Sequence, residues 1–240
     1  MQAIRVERQI GGRTLSIETG TYAKLADGAV TVQYGDTVVF GAVVRANPRE
    51  GIDFFPLQVD YRERRAAAGK FPGGFMKREG RPTNREILTA RLIDRPLRPL
   101  FPKGFMDEVQ VHLNTLAYDM VNDPDVLAGI AASAAIGISD IPFITPIAHV
   151  RVGRVEGKFI LNPTIEQLDA GDLDIVVAGT KHVVNMIEVG AQEVNEDDIA
   201  DGIEFGHKAI IEICGMIEEL QGKAGRPKVG EVKQPDAGLV

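Results

Sequence analysis

The residues best able to do chemistry are gathered between Tyr61 and Lys103. That segment holds 12 of the chain's 27 Lys and Arg residues against four acids, a local net charge of +8 in a chain of net charge −7. Such a concentration suits a polyanion, because each phosphate neutralised releases condensed counterions and affinity becomes salt-dependent. Its middle, Phe71-Pro-Gly-Gly-Phe-Met-Lys-Arg-Glu-Gly-Arg-Pro82, mixes turn residues with rings and cations. Phe75 and Met76 are expected against bases and Lys77, Arg78 and Arg81 against the backbone; stacking contributes about 1–3 kcal/mol per base. A solvated basic surface has a similar composition, so the case rests on what positions these side chains. Two other reactive types carry less. His112 alternates with apolar residues on a strand pattern and reads as a solvated polar-face histidine, and Cys214 lies in the apolar-periodic run 210–217 and reads as a core thiol.

The positioning element is a helix. Thr83-Asn84-Arg85-Glu86 is a capping box, which starts the helix near Asn84 and sets its positive end beside Arg81, a good place for a phosphate. Helical spacing buries Ile87, Leu88 and Leu92 and leaves Arg91, Arg95 and Arg98 as a cationic stripe, until Pro96 and Pro99 stop the helix. Upstream, residues 3 to 60 read as strands with turns at Gly11-Gly12 and Gly35-Asp36. Downstream, alternation predicts a strand over 109–113, and Pro124 to Ile138 is a small-residue helix. Hairpins follow over 147–161, turned at Glu156-Gly157, and over 173–189. A last helix is capped at Asn195 and buries Ile199, Ile203, Ile210, Ile213, Cys214 and Ile217. The expectation is an α+β fold of mixed sheets covered by helices, with one core domain over residues 1–221 and a linker over 222–240.

Gly80-Arg81-Pro-Thr-Asn-Arg-Glu86-Ile-Leu-Thr-Ala-Arg91-Leu-Ile-Asp-Arg95-Pro-Leu-Arg98 resembles the GR-x-x-E-I-x-x-R-L-I-x-R-x-L-R signature of the ribonuclease PH superfamily. Extended through Pro102, and with Phe75-Met76-Lys77-Arg78 before it, the stretch is similar to the first core repeat of the polynucleotide phosphorylase family. Tyr34-Gly-Asp-Thr37 and the segment 172–179 match as well, so the likeness covers nearly the whole chain. It implies a ribonuclease PH-like fold, 3′-to-5′ degradation of RNA by inorganic phosphate with release of nucleoside diphosphates, and assembly as a homotrimeric ring. Single-stranded RNA is the implied partner, with degradosome-type proteins beside it. Phe75, Met76, Lys77 and Arg78 would form the loop that narrows the central channel, where the family usually shows Phe-Phe-Arg-Arg. Arg81, Arg95 and Arg98 would line the approach, and Arg91 is counted with them as RNA-binding.

The same comparison implies that the phosphorolytic site lies elsewhere, and no catalytic residue is assigned to this chain. Active repeats place a hydroxyl-rich, phosphate-binding loop before the small-residue helix, where this chain has Asn122-Asp123-Pro124-Asp125. They also carry D-x5-D-x-K for Mg2+. Aligned on Asp174, the first aspartate falls on Leu168 and the lysine on Val176, so Asp174 remains as a remnant and no metal is expected in this repeat. Mg2+ and the phosphate co-substrate belong to a second repeat outside this sequence. The alternative is a non-catalytic RNA-binding ring subunit of an exosome-like assembly.

At 240 residues, 44% of them hydrophobic, the chain can bury a sizeable core. One cysteine permits no internal disulfide, and neither a signal peptide nor an apolar run of spanning length is present, so a soluble cytoplasmic protein is expected.

Overall fold

The computed structural model describes residues 3–48, 50–230 and 232. Strands β1 (Ile4–Ile10), β2 (Arg13–Thr19), β3 (Gly28–Tyr34), β4 (Thr37–Ala46), β5 (Leu57–Glu63) and β6 (Glu108–Ala117) form a sheet in the order β1-β2-β3-β4-β6-β5. Neighbours are antiparallel except β5 and β6, which run parallel. Parallel strands cannot be joined by a tight turn. The connection is the basic segment itself, which leaves β5, forms helix α1 (Asn84–Leu97) and returns as β6. Between β3 and β4, Gly35 sits at φ 60, the left-handed conformation that the hairpin turn needs.

Strands β7 (Ala148–Val155), β8 (Lys158–Leu161), β9 (Leu173–Gly179) and β10 (Val184–Ala191) form a second, antiparallel sheet in the order β10-β9-β7-β8. Helix α2 (Pro124–Ile138) is buried along its whole length between the two sheets. Small residues permit that approach: a Cβ on Gly28 would lie 2.1 Å from Ala135 O, and one on Gly129 would lie 2.4 Å from the His149 ring. Helix α4 (Glu196–Ala224), capped by Asn195, packs on the second sheet at Gly206 and also on α2 and β1, and buries Ile210, Ile213, Cys214 and Ile217. One apolar core runs through both sheets. The α+β architecture is as expected, Cys214 is fully buried, and burial pushes its thiol up to about 12.

Three expectations change. In α1 the buried stripe is Glu86, Thr89, Ile93, Pro96 and Leu97, whereas Ile87 and Leu88 are 47% and 61% exposed. The capping box fixes the helix phase by burying Glu86, which turns the two apolar residues after it outward. Pro96 does not stop the helix either; it sits in the last turn, where its missing N–H removes a single bond. A short helix α3 (Ile165–Ala170) also stands between β8 and β9 with its own capping box, Thr164 and Gln167.

Residues 222–224 of the linker expected over 222–240 are helical. Helix α4 continues to Ala224, and residues 225–230 fold back on the end of α2. There Arg226 N donates to Ile138 O, and Lys228 Nζ donates to the carbonyls of Ile136, Gly137 and Ser139 at 2.8–2.9 Å. A cation thus caps the negative end of the buried helix. Residue 231 and residues 233–240 of that linker lie outside the described residues.

Candidate nucleic-acid interface

The loop between β5 and α1 has a closed neck and an open tip. After the short 3-10 turn Arg65–Ala68, Tyr118 N donates to Ala67 O at 3.0 Å and ties the turn to the end of β6. Arg65 N donates to Glu79 Oε1 at 2.9 Å and Arg62 Nη2 to Gly80 O at 3.0 Å, which joins the outgoing and returning limbs. Beyond the neck Phe71, Phe75 and Met76 are 88%, 99% and 68% exposed. Lys77, Arg78 and Arg81 are exposed on the same excursion, as are Arg91 and Arg95 on α1. Aromatic faces left in water cost free energy unless a partner covers them.

Glu86 organises the helix end behind the loop. Its carboxylate accepts from Thr83 N at 2.6 Å, Thr83 Oγ1 at 3.0 Å and Glu63 N at 2.9 Å, and Arg62 Nε lies 3.4 Å away. Burial alone would raise its pKa; these donors outweigh burial and hold it below the usual carboxylate value. One side chain therefore ties the end of β5 to the start of α1, which fixes where the loop leaves the sheet.

The eight side chains singled out for RNA divide in two. Among the described residues Lys77, Arg78, Arg81, Arg91 and Arg95 make no salt bridge, and Phe75 and Met76 are free at the tip. Arg98 is spent: it bonds Asp94 at 2.8 Å and the carbonyls of Phe55 and Leu57 at 3.1 Å, and lies 5.9 Å from the Phe55 ring centroid. It clamps α1 to the start of β5, so its charge is not free for RNA. His112 is half exposed, 3.7 Å from Asp60.

Arg85 faces the other way, into a cleft of about 500 Å3 between α1, α2 and the second sheet. This is where the sequence places the degenerate phosphate loop and Asp174. Asp123 is the N-cap of α2, and Asp125 Oδ1 accepts from Val126 N at 2.6 Å, so two carboxylates already occupy the helix end that would attract an anion. Arg151 reaches Asp123 at 2.7 Å, Asp125 at 2.8 Å and Asp174 at 3.2 Å, and Arg85 reaches Asp123 at 2.6 Å. Burial and the neighbouring Asp123 push Asp125 up to about 6 against the pull of Arg151. Asp174 is likewise raised by burial, with Arg151 opposing.

The donor set does not fit a divalent cation. A guanidinium stands where the metal would have to sit, and the carboxylates that could ligate it are its partners. Asp172 is also engaged, with Arg154 at 2.7 Å. Inorganic phosphate fares no better, since the cations and the helix end that would bind it are already neutralised from within. Arg85 and Arg151 are the members of this network that the sequence analysis missed. Arg151 carried a signal: an arginine inside the buried strand run Ala148–Val155 needs a carboxylate partner.

The chain was compared with known proteins. Residues 11–142 match the model described as 3′ exoribonuclease family, domain 1, and residues 145–209 match domain 2 of the same family. The polyribonucleotide nucleotidyltransferase of Rhodopirellula baltica is 52% identical over 240 residues, all of this chain and 32% of that protein. That of Heliobacterium modesticaldum is 55% identical over 229 residues, 95% of this chain and 32% of that protein. The chain therefore spans about a third of the length of the curated relatives it matches. In fold it is similar to the crystal structure of rice (Oryza sativa) Rrp46, with a TM-score of 0.66, 17% identity and coverage of 92% and 95% of the two chains. The two family domains meet at the border between the two sheets, and the chain belongs to the 3′ exoribonuclease family.

Proposed function

We propose that this chain is the RNA-binding and ring-assembling first repeat of a polyribonucleotide nucleotidyltransferase. Such an enzyme shortens RNA from its 3′ end with inorganic phosphate and releases nucleoside diphosphates, reversibly. The observation that carries the reading is the contrast between two surfaces. The basic loop offers rings and unpaired cations to solvent, while the cleft over Asp123, Asp125 and Asp174 is neutralised by Arg151 and Arg85. RNA is gripped at the loop by Phe75, Met76, Lys77, Arg78 and Arg81, with Arg91 and Arg95 along the helix. The chemistry, with its Mg2+, belongs to a second repeat. The identity above 50% to nucleotidyltransferases favours this over a non-catalytic exosome-type subunit, for which only the shared fold speaks.

A homotrimeric ring, degradosome-type partners and a cytoplasmic location are part of the proposal. The location agrees with the fact that, among the described residues, no helix is long and apolar enough to cross a membrane. The test is a salt titration of binding to a fluorescent single-stranded RNA. Arg78→Ala and Arg81→Ala should each weaken binding with little sequence preference and lower the log–log salt slope by about one. An unchanged slope in both variants would remove the loop from the interface.

A further inference from the structure

A second opening lies beside the loop neck, a groove of about 870 Å3 between α1 and the free edge of β5. In a parallel pair, alternate residues turn both backbone groups to the same side. Val109 N bonds Pro56 O, so residues 58, 60 and 62 face β6, and residues 57, 59, 61 and 63 face outward. Two of those outward positions are closed: Leu57 O accepts from Arg98 and Glu63 N donates to Glu86. Between them, Val59 presents an N–H and a C=O with no outward partner among the described residues, whereas Tyr61 is 2% exposed and closed to a ligand. The edge is thus capped at both ends and open at Val59, over the groove.

The charges around the opening do not balance. Among its acids Asp94 is paired with Arg98 and Glu86 with Arg62, while Asp60, which accepts from the neutral Gln58 amide, keeps its charge. Its remaining cations, Arg64 and Arg91, make no salt bridge among the described residues, so two free cations stand against Asp60 and the balance is positive. The wall opposite the strand is Ile87, an apolar side chain 47% exposed because the capping box turned it outward. Pro82 joins this wall to the loop neck, which sets the groove directly beside the basic loop.

We propose that this groove is a nucleotide subsite, in which a base of single-stranded RNA lies between Ile87 and the backbone edge at Val59, with its phosphates between Arg64 and Arg91. Fixed amide donors and acceptors read a base edge, whereas the loop's stacking and charge contacts are indifferent to sequence. The groove would therefore add base preference to a sequence-tolerant grip. Its volume falls in the range of small-ligand clefts, about 300–1,000 Å3. The inference rests on the proposed RNA binding and adds a location to it.

Photocrosslinking of 4-thiouridine-bearing RNA to the intact chain, read by peptide mass spectrometry, tests it beside affinity measurements. Adducts are expected on β5 and the first turns of α1 as well as on the loop. Ile87→Glu, which puts a negative charge in the groove from an exposed position, should weaken binding about tenfold or more, while Ile87→Ala stays folded with a smaller loss. Arg91→Ala should reduce the salt slope and flatten preference among homopolymers. Adducts confined to residues 71–81, with Ile87→Glu binding like the parent, would overturn the groove and leave the loop reading standing. No binding by the parent chain would sink both.

Discussion

At the scale of single residues, the same side-chain types do opposite jobs according to what surrounds them. Arg78 and Arg81 are exposed and make no salt bridge among the described residues, whereas Arg151 is partly buried among three aspartates and Arg98 is folded onto two carbonyls and Asp94. Only the first kind has charge to give to a ligand. His149 is the other residue whose state is set by burial. It is fully enclosed against α2, neither ring nitrogen makes a hydrogen bond of good geometry, and burial pushes it down to about 4, offset in part by the Leu92 backbone. A histidine whose folded pKa lies below its unfolded value of about 6.5 is neutral in the fold, so stability is lost as pH falls from 6.5 toward 4. The expected slope approaches about 1.4 kcal/mol per pH unit for one proton. Asp125 acts in the reverse sense, its contribution fading as pH rises toward 6. Urea unfolding of His149→Leu beside the parent at each pH cancels that term, and the parent alone should weaken with acid; parallel curves would show that His149 is not the group responsible.

At the scale of elements, α2 is the piece whose small residues carry structural meaning. It is buried on every side, and only an alanine- and glycine-rich helix can lie that close to both sheets. A methyl on Gly129 would meet the His149 ring at 2.4 Å, so Gly129→Ala is expected to cost about 1–3 kcal/mol as overpacking. Chemical denaturation of a double-mutant cycle with His149→Ala should return most of that cost, because the smaller side chain vacates the contact. Additive losses would place the strain elsewhere. Helix α1 depends instead on its cap. Removing the Thr83 hydroxyl as Thr83→Ala should cost about 0.5–2 kcal/mol of thermal or chemical stability. That variant should also loosen the loop's exit, seen as faster amide exchange near residue 80.

At the scale of the whole molecule, the fold holds the proposed RNA grip and the neutralised cleft apart. The basic crossover projects from the edge of the first sheet, and the neutralised cleft lies across α1 between the sheets. The chain, given Mg2+, phosphate and a short RNA, is expected to release no nucleoside diphosphate. Phosphate-dependent release would show that Arg151 yields its aspartates to substrate and would reverse the reading of the cleft.

Much of the fold was legible in the chain itself, because it rests on local rules. Strand alternation, the Gly35 turn, the Thr83 capping box and the Asn195 cap each act over a few residues, and all lie where the pattern puts them. The short helix α3 had a Thr164-to-Gln167 capping box that went unread. The concentration of cations near residue 80 was likewise a property of sequence. Tertiary structure decided which of those cations are free, which way α1 turns, and how far the chain stays bound to the core. Periodicity names a helix's apolar residues but not its phase against a sheet, and that phase was fixed by Glu86 reaching Glu63 across the crossover. No local pattern could bring Arg151 to Asp123, Asp125 and Asp174, or Lys228 to the end of α2, since those contacts join segments far apart in the chain through the packing between them.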